Sequence, residues 1–176
     1  YRNLREMIEA GHIGQLQSVI AHCGASAAQW GHTHAADMLQ FLAGDGPVDW
    51  VQGTCRFEEA DWEGNRLTLD PPIESGTVRF VDGVTASFVP AGGYEFEASG
   101  TEGKLRTQSN GTGYTWRRVG ESGDLEEAGG PDAPIESGTL RAIEDLVRAL
   151  DEDAPTQGGI DLACRSQEII LGLVAS

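Results

Sequence analysis

The spacing of apolar residues predicts two short helices and two strands in the first third of the chain. Residues 4–11 carry their apolar positions on one helical face, which a glycine ends. From Thr33 the period again becomes helical, and this second apolar stripe ends at Gly44, with Thr33 as the candidate N-cap. Residues alternate between two faces over 16–22, which predicts a strand, and the β-rich composition of 47–57 predicts another.

The middle of the chain is dominated by short β-rich runs separated by glycine turns. Asp82-Gly83 between two such runs predicts a hairpin with a two-residue type I′ turn, and Asn110-Gly111 is a second turn signal. The predicted strands are 78–81, 84–89, 94–98, 104–107 and 114–119.

Two amphipathic helices close the chain after a loop at 129–134. They cover 140–150 and 162–174, and Ser137 or Thr139 is the candidate cap of the first. Helices at both ends and a run of strands between them favour an α+β fold, a largely antiparallel sheet with helices packed on one face. At 176 residues, the chain is most simply a single domain, 1–176.

Composition narrows the classes of partner. A formal net charge of −16 and a pI near 4.4 argue against nucleic acid and anionic membrane as partners. There is a single lysine, Lys104, and there is no apolar run long enough for a membrane span and no signal-peptide pattern. Three widely spaced cysteines fit reduced, mostly buried thiols, so we expect a cytoplasmic protein.

Candidate chemistry is concentrated at 29–42, at the start of the second helix. His34 falls in the first helical turn, where exposed backbone N–H groups favour a neutral imidazole that can exchange a proton with a substrate hydroxyl. Trp30, His32 and Asp37 are candidate substrate-binding residues beside it, although a core position is the more common one for a tryptophan like Trp30. Asp37 lies three residues further and either orients the His34 ring or complements the helix dipole.

Other chemistries find weaker support. The pair His32-x-His34, with Asp37, could be half of a metal site, but few histidines remain to complete it, so we predict no metal. Neither 111–116 nor 100–105 fulfils a nucleotide-binding glycine motif. The chain also begins within a helical pattern, without an initiator methionine. We therefore expect it to be part of a larger enzyme that holds the other half of the active site.

Four segments together resemble the C-terminal domain of the glucose–fructose oxidoreductase/inositol dehydrogenase (Gfo/Idh/MocA) family. Residues 5–14 resemble the entry from a helix into the family's sheet, and 31–39 resemble its H-x-x-D helix start. Residues 100–105 resemble its G-T-x-G-x-L turn, and 142–175 resemble its closing helices. The likeness extends over nearly the whole chain.

This resemblance implies a two-domain dehydrogenase with a dihydrodipicolinate-reductase-like C-terminal domain. NAD or NADP is then bound mainly by a Rossmann domain that precedes Tyr1 and is absent from this chain. His34 aligns with the family's substrate-site histidine, whereas the catalytic lysine belongs to the other domain and Lys104 stands in the wrong motif to replace it. Many members carry Asp four residues before the histidine, a position held here by Trp30.

The leading hypothesis is a substrate-binding and oligomerisation domain of an NAD(P)-dependent oxidoreductase. The substrate is a sugar, polyol or related hydroxy compound, and His34 assists proton transfer. Apolar residues on both sheet faces predict a homo-oligomer formed through the open face. The alternatives are a non-catalytic ligand-binding or assembly module of the same fold and an H-x-H metal-dependent hydrolase.

Overall fold

The computed structural model describes residues 1–57, 62–67, 70–130 and 138–176. Within these residues the chain forms four α-helices, one short 3-10 helix (Ser109–Gly111) at the 109–111 turn, and eleven strands. The helices are α1 (Arg2–Glu9), α2 (His32–Ala43), α3 (Gly138–Glu152) and α4 (Ile160–Ala175). The strands are β1 (Leu16–Cys23), β2 (Ser26–Ala27), β3 (Val48–Cys55), β4 (Trp62–Glu63), β5 (Arg66–Leu67), β6 (Pro72–Phe80), β7 (Thr85–Pro90), β8 (Tyr94–Gly100), β9 (Gly103–Gln108), β10 (Gly113–Val119) and β11 (Leu125–Gly129).

Nine of the described strands form one mixed sheet. Its order is β11-β10-β9-β8-β1-β7-β6-β2, and β3 also pairs with β6. The pairing of β1 with β7 is parallel, and the other described pairings are antiparallel. β4 and β5 form a separate hairpin. The predicted α+β class with a largely antiparallel sheet is therefore confirmed.

The hydrophobic core lies between the sheet and the helices on one of its faces. Phe80, Phe88 and Phe96 project from β6, β7 and β8 and are almost completely buried. α4 approaches the sheet closely because glycines face it. A Cβ on Gly53 would lie 2.5 Å from the Leu173 carbonyl oxygen, too close for a side chain at that position.

Two of the segments that carry the family resemblance contact each other. The Glu102 backbone N–H donates to the Ile13 carbonyl at 2.9 Å, and the Gln15 N–H donates to the Thr101 hydroxyl at 3.0 Å. A Cβ on Gly100 would lie 2.3 Å from the Ile13 carbonyl oxygen. These motif residues thus join the end of the first helical segment to the β8–β9 turn, so they have a structural role.

Most predicted elements are confirmed, but several details are wrong. The hairpin loop has three residues rather than two, because Phe80 N–H donates to the Val84 carbonyl at 2.9 Å. Gly83 adopts a φ of +95° and Asp82 stays out of the left-handed region, whereas a type I′ turn needs both there. α2 begins two residues early, with Gly31 as its N-cap in place of Thr33, and it ends at Gly44 as predicted.

Three further comparisons concern an unpredicted strand, the predicted loop and cap before α3, and the cysteines. Strand β11 was not predicted, because the acidic, glycine-flanked sequence 125–129 carries little β-rich character. Most of the predicted loop at 129–134 lies outside the described residues, and so does the candidate cap Ser137. Cys23 is buried, but Cys164 is exposed, so the prediction of mostly buried thiols holds only in part.

The outward face of the sheet is polar at its centre. On β8 and β9, Glu95 and Glu97 face Arg106 and Lys104, and the Lys104 ammonium lies 2.8 Å from the Glu97 carboxylate. The expectation of apolar residues on both faces is therefore wrong here, because alternation along β8 sends Phe96 and Ala98 inward and the two glutamates outward.

Helix α3 differs from the other helices because its apolar stripe is largely uncovered. Five large apolar side chains on it are more than half exposed, namely Leu140, Ile143, Leu146, Val147 and Leu150. Ala149 is its buried residue. Among the described helices, none combines the length and the apolar character needed to cross a membrane.

Candidate functional site

A broad cavity of about 1140 Å³ lies on the outer side of helix α2. α1 and the 109–111 turn form one wall, and α4 with the preceding loop at 157–159 forms the other. The N-terminal end of α3 contributes Gly138 and Arg141 to the rim. At this volume the cavity exceeds the roughly 300–1,000 Å³ of ordinary small-molecule pockets.

His34 lines this cavity and its side chain is exposed. Residues two apart on a helix point in nearly opposite directions, so burying His32 against the sheet turns His34 outward. Asp37, Met38 and Phe41 follow His34 on the same outward face and also line the cavity. The predicted catalytic candidate is thus accessible to a small molecule.

Asp37 lines the cavity as well, but its hydrogen-bond partner is on another helix. The Ser166 hydroxyl of α4 donates to Asp37 Oδ1 at 3.3 Å. This bond ties α2 to α4 at the cavity wall. Orientation of the His34 ring by Asp37, one of the two roles expected for it, is not supported by the hydrogen bond that the carboxylate makes.

His32 lies in the core and outside the cavity lining, with 2% of its surface exposed. Its Nε2 is 3.1 Å from the Ile73 carbonyl oxygen and 3.2 Å from the Ser26 backbone nitrogen. Its ring packs edge-on against Phe88, at 5.5 Å between centroids. Burial lowers the pKa of His32, so the ring is held neutral. The placement corrects the expectation that this side chain contacts substrate.

Trp30 is neither in the core nor in the cavity lining. It is 86% exposed, so the expectation of a core position is wrong, and the expected contact with substrate in this cavity has no support either. The backbone N–H groups of Gln29 and Trp30 both donate to the Asp70 carboxylate, at 2.7 and 2.9 Å. Asp70 thereby fixes the turn that leads into α2, a role that its sequence position did not indicate.

Several lining residues were not predicted, because they come from segments far apart in the chain. The Tyr1 hydroxyl donates to Asn110 Oδ1 at 3.1 Å, which joins α1 to the 109–111 turn. Tyr114 donates to the Gly130 carbonyl at 3.3 Å. The sequence signalled Asn110-Gly111 as a turn, and both residues have positive φ, but it gave no sign that the turn borders a cavity.

The geometry also bears on two other candidates, Lys104 as a catalytic group and the His32-x-His34 pair as a metal site. Lys104 is on the outward face of the sheet, paired with Glu97, and the cavity is on the other side. Among the described residues, no cluster of three His, Cys, Asp or Glu side chains could hold a metal ion. His32 is buried in the core and His34 lines the cavity, so the two rings are not directed at a common metal-ion position.

Known structures share this fold. The chain superposes on an oxidoreductase from Desulfitobacterium hafniense, provisionally described as NADPH-dependent, with a TM-score of 0.77 and 17% identity. For aldose-aldose oxidoreductase from Caulobacter crescentus, solved with glycerol, the values are 0.71 and 15%. For levoglucosan dehydrogenase, solved with NADH and L-sorbose, they are 0.70 and 16%.

These matches cover 98–99% of this chain but only 58%, 56% and 60% of the three proteins, in that order. The chain thus spans a little over half the length of the structures that it matches. No protein-family model matches the sequence, and no curated protein sequence matches it. At these identities the similarity establishes the fold, an α+β domain that occurs in oxidoreductases.

Proposed function

We propose that this chain is the substrate-binding domain of an NAD(P)-dependent oxidoreductase of the Gfo/Idh/MocA type. Its substrate is a sugar, polyol or related hydroxy compound. The observation that carries the proposal is the outward-facing His34 ring on the wall of a large cavity. The matched proteins add support, because two of them were solved with polyhydroxy compounds, glycerol and L-sorbose.

His34 is the proposed proton-transfer group. A neutral imidazole accepts the proton of the reacting hydroxyl during oxidation and returns it during reduction. Asp37, held by Ser166 at the same wall, offers a carboxylate to other substrate hydroxyls. Asn110 and Arg141 add polar groups of the kind that fix the orientation of a polyol.

In this proposal NAD or NADP is held mainly by a separate nucleotide-binding domain. The cofactor supplies the hydride acceptor. The sequence fits this division, because it contains no G-x-G-x-x-G motif between a strand and a helix, and its only lysine is on the opposite face of the sheet from the cavity. The uncovered stripe of α3 begins at the cavity rim, where a second domain would be expected to pack. An apolar surface of this kind is typical of an interaction site.

A homo-oligomer through the open face of the sheet is part of the proposal. The outward charges on β8 and β9 are already paired within the chain, so the face can be covered without leaving isolated charges. Light scattering of the wild type and of Glu97→Lys tests this. A loss of the oligomer in the variant supports the proposed face, and an unchanged mass excludes it.

The non-catalytic alternative also has an observation in its favour. Trp30 stands where many members of the resembled family have Asp, and its side chain is outside the cavity. A protein that lacked the second proton-handling group could bind a polyol without oxidising it.

Activity measurements distinguish these functions. The natural protein that contains this chain is assayed with NAD⁺ and NADP⁺ against a panel of aldoses and polyols. We expect reduced cofactor to form, and we expect His34→Ala to lower kcat/KM by roughly 10²–10⁴-fold, the usual loss for a general acid–base group. His12→Gln is the matched control, because that ring packs against Trp116 outside the cavity.

The possible results separate the alternatives clearly. Full activity in His34→Ala removes His34 from the mechanism. Binding of a polyol without cofactor reduction supports the non-catalytic module, and the absence of both contradicts the proposed function.

A further inference from the structure

The hydroxyl group of Tyr94 is buried and has no hydrogen-bond partner among the described residues. Buried polar groups are nearly always paired, since an unpaired one costs roughly 1–3 kcal/mol. If packing alone mattered, phenylalanine would fill the same space without burying a hydroxyl group. The unpaired oxygen therefore calls for an explanation other than packing.

Tyr94 lies on the face of the sheet that supports the cavity. Along β8, Tyr94 and Phe96 project to the same side, and their rings meet edge-on at 5.2 Å. The Phe96 ring in turn meets the Tyr1 ring at 5.7 Å, and its backbone N–H donates to the Thr107 hydroxyl at 2.8 Å. Tyr1 and Thr107 both line the cavity, so Tyr94 stands one residue behind its wall.

The electrostatic surroundings agree with this position. Burial raises the pKa of Tyr94, and Cys23, Tyr1 and Asp37 add to the increase. Asp37 and Tyr1, which contribute to this increase, both line the cavity. Tyr94 stays protonated and is available as a hydrogen-bond donor.

We propose that the Tyr94 hydroxyl is a ligand-binding group that donates a hydrogen bond to a polyhydroxy ligand bound in the cavity. The inference rests on the proposed function and adds a specific donor to it. The inference requires the Tyr1 side chain, which lines the cavity and bonds to Asn110, to rotate so that the ligand reaches the donor behind it. The bound ligand then supplies the missing partner.

Substitution by phenylalanine distinguishes this role from a structural one. L-sorbose is titrated into isotope-labelled chain, and the dissociation constant is taken from the amide shifts of cavity residues. We expect Tyr94→Phe to weaken binding about three- to tenfold, the loss of one neutral hydrogen bond. In the absence of sugar, we expect its urea midpoint to equal or exceed that of the wild type, because no hydrogen bond is lost.

Ser99→Ala is the matched control, since Ser99 is on the same strand but its hydroxyl faces Glu97 on the open side of the sheet. It should bind L-sorbose as the wild type does. Equal affinity in Tyr94→Phe, or a lower urea midpoint, overturns the inference and leaves the sugar site intact. If wild-type cavity amides do not respond to L-sorbose, the proposed polyol site and the inference fail together.

Discussion

Removal of the His32 side chain should destabilise the protein strongly, although its sequence neighbour Trp30 should be dispensable. His32 is 2% exposed and contacts Phe88, and its Nε2 lies within hydrogen-bond distance of backbone groups of β6 and β2, of which a neutral ring can pair with one. Truncating a large buried side chain to alanine costs about 2–5 kcal/mol, and a buried carbonyl left without its donor adds about 1–3 kcal/mol. We therefore expect His32→Ala to lower the free energy of unfolding by about 3–8 kcal/mol.

The matched variant is Trp30→Ala, which removes a larger side chain two residues away. Because Trp30 is 86% exposed, we expect a change within about 0.5 kcal/mol. Urea unfolding followed by far-ultraviolet circular dichroism measures both, with unchanged m-values as evidence that the denatured state is the same. A cost below about 1 kcal/mol for His32→Ala would refute a structural role. So would a larger cost for Trp30→Ala.

Three further outcomes are expected. The pKa of His32 is lowered in the folded state, so the unfolded chain binds a proton more readily than the folded one. The free energy of unfolding should therefore reach its plateau above about pH 6.5 and fall below that pH. Unfolding midpoints that stay constant from pH 7 to about pH 5 would contradict this. Gly100→Ala should cost about 1–3 kcal/mol, because its Cβ would meet the Ile13 carbonyl, whereas Gly46→Ala meets nothing and should cost less than 1 kcal/mol in the same urea assay. Leu146→Gln on the uncovered stripe of α3 should change stability by at most about 0.5 kcal/mol, and a loss above about 1 kcal/mol would show that α3 is packed.

The fold could be predicted from the sequence because its elements have distinct periods. The alternation of Phe96 and Ala98 with Glu95 and Glu97 marks a strand with one buried face, and the stripe that ends at Gly44 marks a helix. The turn after Phe80 was less predictable, because the loop length depends on which residues of the two strands pair. Asp-Gly is suited to the two-residue loop that was predicted and also to the three-residue loop that the structure has.

The candidate site could be predicted in part. The apolar stripe of α2 includes positions 35, 36, 39 and 42, and His32 falls on this stripe while His34 does not. The buried stripe therefore distinguishes the two histidines, although both were predicted at the site from the sequence. The contributions of Tyr1, Asn110 and Tyr94 were not accessible in this way, since they depend on contacts between residues about a hundred positions apart.

The amphipathic pattern of α3 shows a different limit. Its periodicity predicts a buried apolar face, and the structure leaves that face exposed over Leu140 to Leu150. A sequence pattern indicates that a surface is suited to burial, but it does not say whether the covering partner is part of the same chain.

The most direct test of the central claim is a crystal structure of the natural protein with a polyol substrate and the reduced cofactor, a combination that cannot react. The measured quantity is the distance from the reacting hydroxyl oxygen to the nearer His34 ring nitrogen. A value of about 2.6–3.2 Å, with the polyol inside the cavity that Asp37 and Asn110 also line, is the predicted result. A polyol bound outside this cavity, or one whose reacting hydroxyl has neither a direct nor a one-water link to His34, would contradict the account.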